Sequence, residues 1–143
     1  MGGEVTDYRK VVETRRLYAF EDVFGKELPY FTRRDRSLSF LACLLSIVWA
    51  KHGRKNTKCP KLVFGEGVPH NGEKTSFAVG YDHIELVEGQ RTVMILLHEI
   101  THTLGFGRPH GPGFVRKYLE LLVEYGKCDE GELRMAMSLF KIA

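Results

Sequence analysis

The sequence predicts an α+β fold with a small mixed sheet of about three strands packed by helices. Two observations predict it. Helix-periodic apolar patterns occupy both ends of the chain, over residues 8–51 and 91–140. Between them lie short runs that read as strands, KLVF, TSFAV and HIELV, separated by Gly-containing turns. The strands lie together in the middle of the chain, with helices on either side to pack them, which is the α+β arrangement. The length, 143 residues, suits a single domain over 1–143, because two halves would each bury too little surface. With 43% hydrophobic and 27% charged residues, the composition is that of a globular domain and excludes global disorder.

The elements follow in order. Residues Tyr8 to Phe24 interleave Val11, Val12, Leu17, Tyr18 and Phe20 with Arg and Glu, an amphipathic helix that Gly25 can stop. A second helix is expected from Ser37 to Lys51, ending near Gly53. Its apolar residues occupy more than one face, so it should lie deep, with Trp49 in the core. Lys61 to Phe64 reads as a strand and GEGVPHNGE after it as a Gly-rich turn. Thr75–Val79 and His83–Val87 read as strands around Gly80, Tyr81 and Asp82. Helix returns over Arg91–Leu104, with Gly105 and Gly107 as stop signals and Pro109 beyond them. Pro112 opens the next helix, with Leu119, Leu122 and Val123 as its stripe and Gly126 as its end. Asp129 or Glu130 opens the last, which runs to Phe140.

Charge and cysteine usage narrow the setting. The net charge of +3 divides unevenly: residues 1–61 carry +6 and the remainder −3. The densest basic stretch, Lys51 to Lys61, has five Lys or Arg and no acid, and TRRDR follows the same trend at Thr32–Arg36. Such a stretch reads as a solvated loop or as a contact for phosphate, nucleic acid or an acidic protein. It holds no aromatic residue, so base stacking gains no support. The three cysteines, Cys43, Cys59 and Cys128, are widely spaced, which points to free thiols in a reducing compartment such as the cytoplasm. Cys43 reads as a packing residue, and the lysines around Cys59 could lower its pKa. No secretory signal opens the sequence, and the longest apolar stretch, Phe40 to Ala50, falls short of the roughly 18 residues a membrane span needs, so no membrane partner is expected.

One motif carries chemistry. The Arg91–Leu104 helix contains HEITH, residues 98–102. Residues i and i+4 lie about 40° apart around a helix, so His98 and His102 can reach one metal ion. Glu99, about 100° from His98, sits at the border of that face, placed to hold a water rather than to share the coordination. The composition gives about 0.02 expected HExxH matches, so the motif stands well above chance. Gly105 and Gly107 can turn the chain so that a third imidazole, His110, returns to the metal. Three protein ligands with an open water position are the catalytic zinc pattern, whereas a structural site usually closes with four, often thiolates. Candidates for stabilising an oxyanion are Arg108, Tyr81 and Tyr118, with packing the alternative for Tyr118. The remaining histidines are weaker: His83 reads as a surface strand residue, His70 as a turn residue and His52 as part of the basic loop.

The run HEITHTLGFGRPHGPGFVRKYLELL resembles the zinc-binding core of small SprT-like metallopeptidases, and more closely a family of short actinobacterial and phage metallohydrolases that pair HExxH with a downstream HGPxF. RRLYAFED, Arg15 to Asp22, and Ala78–Gly80 are also similar to that family. The resemblance implies a minimal zincin-like domain, His98, His102 and His110 as ligands of one zinc ion, Glu99 as catalytic base, and a peptide or protein as substrate, in a host cytoplasm if the chain is of phage origin. One departure is plain: the metzincin spacing would need a histidine at 108, where this chain has Arg108, and His110 falls two residues later. The leading expectation is therefore a zinc metallopeptidase in which metal-activated water attacks a carbonyl with Glu99 as general base, and the strands before the helix would offer an edge to an extended peptide. Two other readings stay open: a non-catalytic, metal-stabilised domain that binds protein or nucleic acid through its basic N-terminal half, and a peptidase recruited to DNA-bound proteins.

Overall fold

The computed structural model describes residues 2–142 apart from 71, 72, 81 and 107. The fold is α+β: six helices, a three-stranded sheet and a two-stranded hairpin among the described residues. The chain divides into two compact units, residues 31–104 and residues 1–30 with 105–143.

Residues 31–104 hold the sheet. Helix α3 (Leu38–His52), which follows α1 (Gly2–Phe24) and the short α2 (Tyr30–Arg33), starts where Ser37 turns its hydroxyl back to accept the Phe40 N–H, at 3.2 Å. It ends where the Gly53 N–H reaches the Trp49 carbonyl at 2.8 Å. Leu41, Leu45, Val48 and Trp49 form one buried stripe at helical spacing. Leu38, Cys43 and Ile47 are exposed, so the helix buries one face only, contrary to the deep position its composition suggested. Strands β1 (Lys61–Phe64), β4 (Phe77–Val79) and β5 (His83–Leu86) make a sheet of order β1-β5-β4, parallel between β1 and β5 and antiparallel between β4 and β5. The mixed three-stranded sheet is the one expected. In β5, Ile84 and Leu86 are buried while His83 and Glu85 are half-buried, the alternation of a strand with one face on the core. The Gly-rich stretch expected to be only a turn instead forms an antiparallel hairpin, β2 (Val68–His70) and β3 (Glu73–Thr75). The Thr75–Val79 run accordingly breaks at the buried Ser76, whose hydroxyl accepts the Val87 N–H at 3.0 Å.

Helix α4 (Val93–Leu104) packs on β4, β5 and α3. Thr92 accepts the Ile95 N–H at its start, at 3.2 Å. At its end, the Arg54 guanidinium donates to the Leu104 carbonyl at 3.0 Å. A cation on the last carbonyls complements the helix dipole, so one charge of the basic loop has a structural use. Val93, Leu96, Leu97, Ile100 and Leu104 are at most 1% exposed, which fixes the rotation of α4 about its axis.

The other unit is helical. Helix α1 runs over Gly2–Phe24, starting earlier than its apolar pattern implies, and a 3-10 turn (Gly25–Glu27) follows. The short helix α2 covers Tyr30–Arg33, and all of it but Tyr30 belongs to residues 31–104. Helix α5 (Pro112–Gly126) has Pro112 at its first position. Helix α6 (Glu130–Leu139) is capped by Asp129, whose carboxylate accepts the Glu132 N–H at 2.8 Å. Leu17 and Phe20 of α1 and Phe114 and Tyr118 of α5 are the largest buried side chains of this unit. The Tyr118 hydroxyl donates to the buried Glu21 carboxylate at 2.6 Å. Tyr118→Phe should therefore cost about 1–3 kcal/mol, because it takes a donor from a carboxylate shielded from water. A urea titration checks this; an unchanged midpoint would show that the bond adds no net stability.

No helix among the described residues is long and apolar enough to cross a membrane. Cys43, Cys59 and Cys128 are free thiols. Cys43 is exposed rather than packed, and partial burial pushes the Cys59 thiol up, not down as its lysine neighbours suggested.

Candidate metal centre

The centre begins with the turn geometry of α4. His98 and His102 lie one turn apart on one face, and their Nε2 atoms are 3.2 Å apart. Two nitrogens each about 2.05 Å from a tetrahedral zinc would be about 3.3 Å apart. The spacing thus fits a shared cation. His110 completes the group: one ligand atom from each of His98, His102 and His110 lies within 4.8 Å of the others. The three imidazoles are therefore close enough to bind a metal ion. His98 and His110 are buried and His102 is half-buried. Glu99 is also buried, on the turn of α4 that carries His98. Thr101 and Thr103 on the same helix donate their hydroxyls back to the carbonyls of Leu97 (2.7 Å) and Glu99 (3.2 Å), so they need no outside partner.

The backbone beyond α4 explains how His110 is delivered. Gly105 takes φ 72°, the left-handed conformation that ends a helix. Gly107, the second predicted stop signal, lies outside the described residues. The Gly111 N–H then bonds the Arg108 carbonyl at 3.1 Å, closing a turn with Pro109 second and His110 third. His110 has φ 63°, and a proline followed by a positive φ is the type II pattern. A Cβ on Gly111 would come within 2.7 Å of Arg108 Cγ, so a side chain at the fourth position would displace that of Arg108. A left-handed conformation costs a non-glycine residue about 1–2 kcal/mol. Metal-free His110→Gly should accordingly be about 1 kcal/mol more stable than His110→Ala, while both lose the third imidazole. Thermal unfolding in chelator compares them, and equal midpoints would argue against a strained backbone here.

The His110 ring is held on three sides. Its Nδ1 lies 2.8 Å from Thr14 Oγ1. Tyr18, one turn further along α1, meets it edge-on with centroids 5.5 Å apart, and Phe114 of α5 does the same at 5.1 Å. With Nδ1 engaged by a hydroxyl, Nε2 is the nitrogen that would face a metal. None of these three neighbours was marked as a site residue from the sequence, where Tyr18 entered only as part of the apolar pattern of α1. Thr14 is 96 residues away, and only its place on the inward stripe of α1, with Leu17, Tyr18 and Glu21, could have marked it.

The other predicted residues fall as follows. Arg108 is held by Glu13, with Nε and Nη2 donating to the two carboxylate oxygens at 2.8 Å each. Glu13 also raises the pKa of Arg108 above its ordinary value, mainly through the hydrogen bond. Tyr118 is fully buried against Glu21. Two of the three oxyanion candidates are thus engaged elsewhere, and the third, Tyr81, lies outside the described residues. His83 pairs with Asp82 at 2.7 Å, His52 ends α3, and His70 lies in β2 rather than in a turn. No family model, curated protein or solved structure matches the chain.

Proposed function

We propose that the chain is a zinc-dependent peptidase of the small zincin kind that its HEITH…HGPGF run resembles, acting in the cytoplasm. One observation carries the reading: three imidazoles and no thiolate form the cluster, and a buried carboxylate stands next in sequence to the first of them. Three nitrogen ligands leave a fourth position for solvent or substrate, as catalytic zinc sites do. Zinc held there would supply Lewis acidity, polarising a peptide carbonyl and acidifying water.

The remaining steps belong to the chain's own residues. Glu99 accepts the proton of the attacking water and hands it to the amide nitrogen as the C–N bond breaks. Burial keeps bulk water from competing for that proton. Strand β4 is an edge of its sheet and packs on α4, so an extended substrate can add to it through main-chain hydrogen bonds.

The test is cleavage of an unfolded protein by the purified, zinc-loaded chain. Cleavage should stop on chelation and return when zinc is added back. Stoichiometric zinc with no cleavage of any unfolded protein would overturn the peptidase and leave the metal a role in stability alone.

A further inference from the structure

Metal-ligating histidines are usually oriented by a hydrogen bond at the ring nitrogen that does not bind the metal, and that outer partner tunes affinity. Helix α1 offers such a partner within its own unit. Thr14, Leu17, Tyr18 and Glu21 are spaced i, i+3, i+4, i+7, the inward stripe of the helix. Leu17 and Glu21 are buried, and Glu21 is anchored by Tyr118, so the stripe is fixed along its length. Two contacts then reach the turn that carries His110. Glu13 holds Arg108 through two bonds, and Thr14 meets the imidazole itself at 2.8 Å.

Those contacts have different consequences. The Glu13–Arg108 pair is at the surface and fixes where the turn sits. A surface pair of this kind contributes little energy alone, but two parallel bonds set a direction. The Thr14 hydroxyl acts on the ring. An imidazole that binds a cation through Nε2 carries its proton at Nδ1, and Thr14 Oγ1 is placed to accept that proton's hydrogen bond. Tyr18 and Phe114 against the ring limit its rotation, so the hydroxyl selects the tautomer of a ring already held in place.

We infer that Thr14 is a positioning residue of the metal centre, its hydroxyl accepting from His110 Nδ1–H and so presenting Nε2 to the cation. The inference rests on the three-histidine reading of the centre and deepens it. It assigns α1 a part in metal affinity, although none of its described side chains belongs to the histidine cluster.

The experiment uses the full chain with Co²⁺ as a spectroscopic probe and Zn²⁺ in competition. Thr14→Val keeps the shape of the side chain and removes the acceptor; Thr14→Ser keeps the acceptor. The expected result is a 10–100-fold weaker Kd for both metals in Thr14→Val, an altered Co²⁺ visible band, and near-native affinity and band in Thr14→Ser. The chelated forms of all three proteins should melt within a few degrees of one another, since a change in tautomer preference matters only with a cation bound. Native affinity in Thr14→Val, or equal losses in the Val and Ser variants, would overturn the assignment. A native chain that binds neither metal would instead remove the centre itself, and so the proposed function with it.

Discussion

Zinc-loaded Glu99→Gln protein is expected to cleave a fluorogenic peptide library about 10²–10⁴-fold more slowly than the native chain, the range general base catalysis supplies. Gln preserves the length and shape of the side chain but cannot accept a proton from water. Its zinc content should stay at one equivalent, because the three imidazoles and not the carboxylate make up the cluster. The loss should appear in kcat rather than KM, since proton transfer belongs to the transition state. A pure, metal-replete variant that turns over at the native rate would remove Glu99 as the base.

The second large effect concerns the metal itself. His98→Ala and His102→Ala should each bring the zinc content from one equivalent to nearly none. The two Nε2 atoms are 3.2 Å apart, and neither alone with His110 completes a three-ligand site. Zinc at 100 times its Kd stabilises a native state by about 2.7 kcal/mol, which for a chain of this size raises Tm by roughly 10 °C. The native chain should show that rise and both variants should not. A native Tm that ignores zinc, measured after thorough chelation, would mean that the imidazoles converge without a cation.

How far these features were legible in the sequence depended on how local they are. The His98–His102 pair was readable because helical periodicity converts a spacing of four into a shared face. The ends of α3, the start of α5 and the start of α6 were readable from Ser37 and Gly53, from Pro112 and from Asp129, whose chemistry acts within a few residues; α5 stops at Gly126 as expected, but the left-handed residue that closes it is Lys127, at φ 56°. His110 was partly readable: the glycines permit a turn, but a left-handed φ such as its 63° is a minority conformation even for histidine, so the residue type alone does not announce it. The hairpin over 68–75 was hidden by Gly and Pro, which signal a turn without saying that its arms pair. The depth of α3 was misjudged because Leu38 and Ile47 stay in solvent, and exposed aliphatic residues are common on protein surfaces. Thr14 with His110, Glu13 with Arg108 and Glu21 with Tyr118 are pairs at separations of 95 to 97 residues, which no pattern within a window can link.

The order in which the chain is made gives those separations a cost. Helix α1 leaves the ribosome well before Phe114 and Tyr118, the residues with which it shares a core, have been translated. At 5–20 residues per second, Leu17 and Phe20 wait on the order of ten seconds for cover. Residues 31–104, contiguous and complete in that interval, can fold first, while the nascent α1 stays open to chaperones. Ribosome-bound chains that end at residue 105 and continue into an unstructured linker long enough to clear the exit tunnel should therefore protect α4 from protease and leave α1 cleavable.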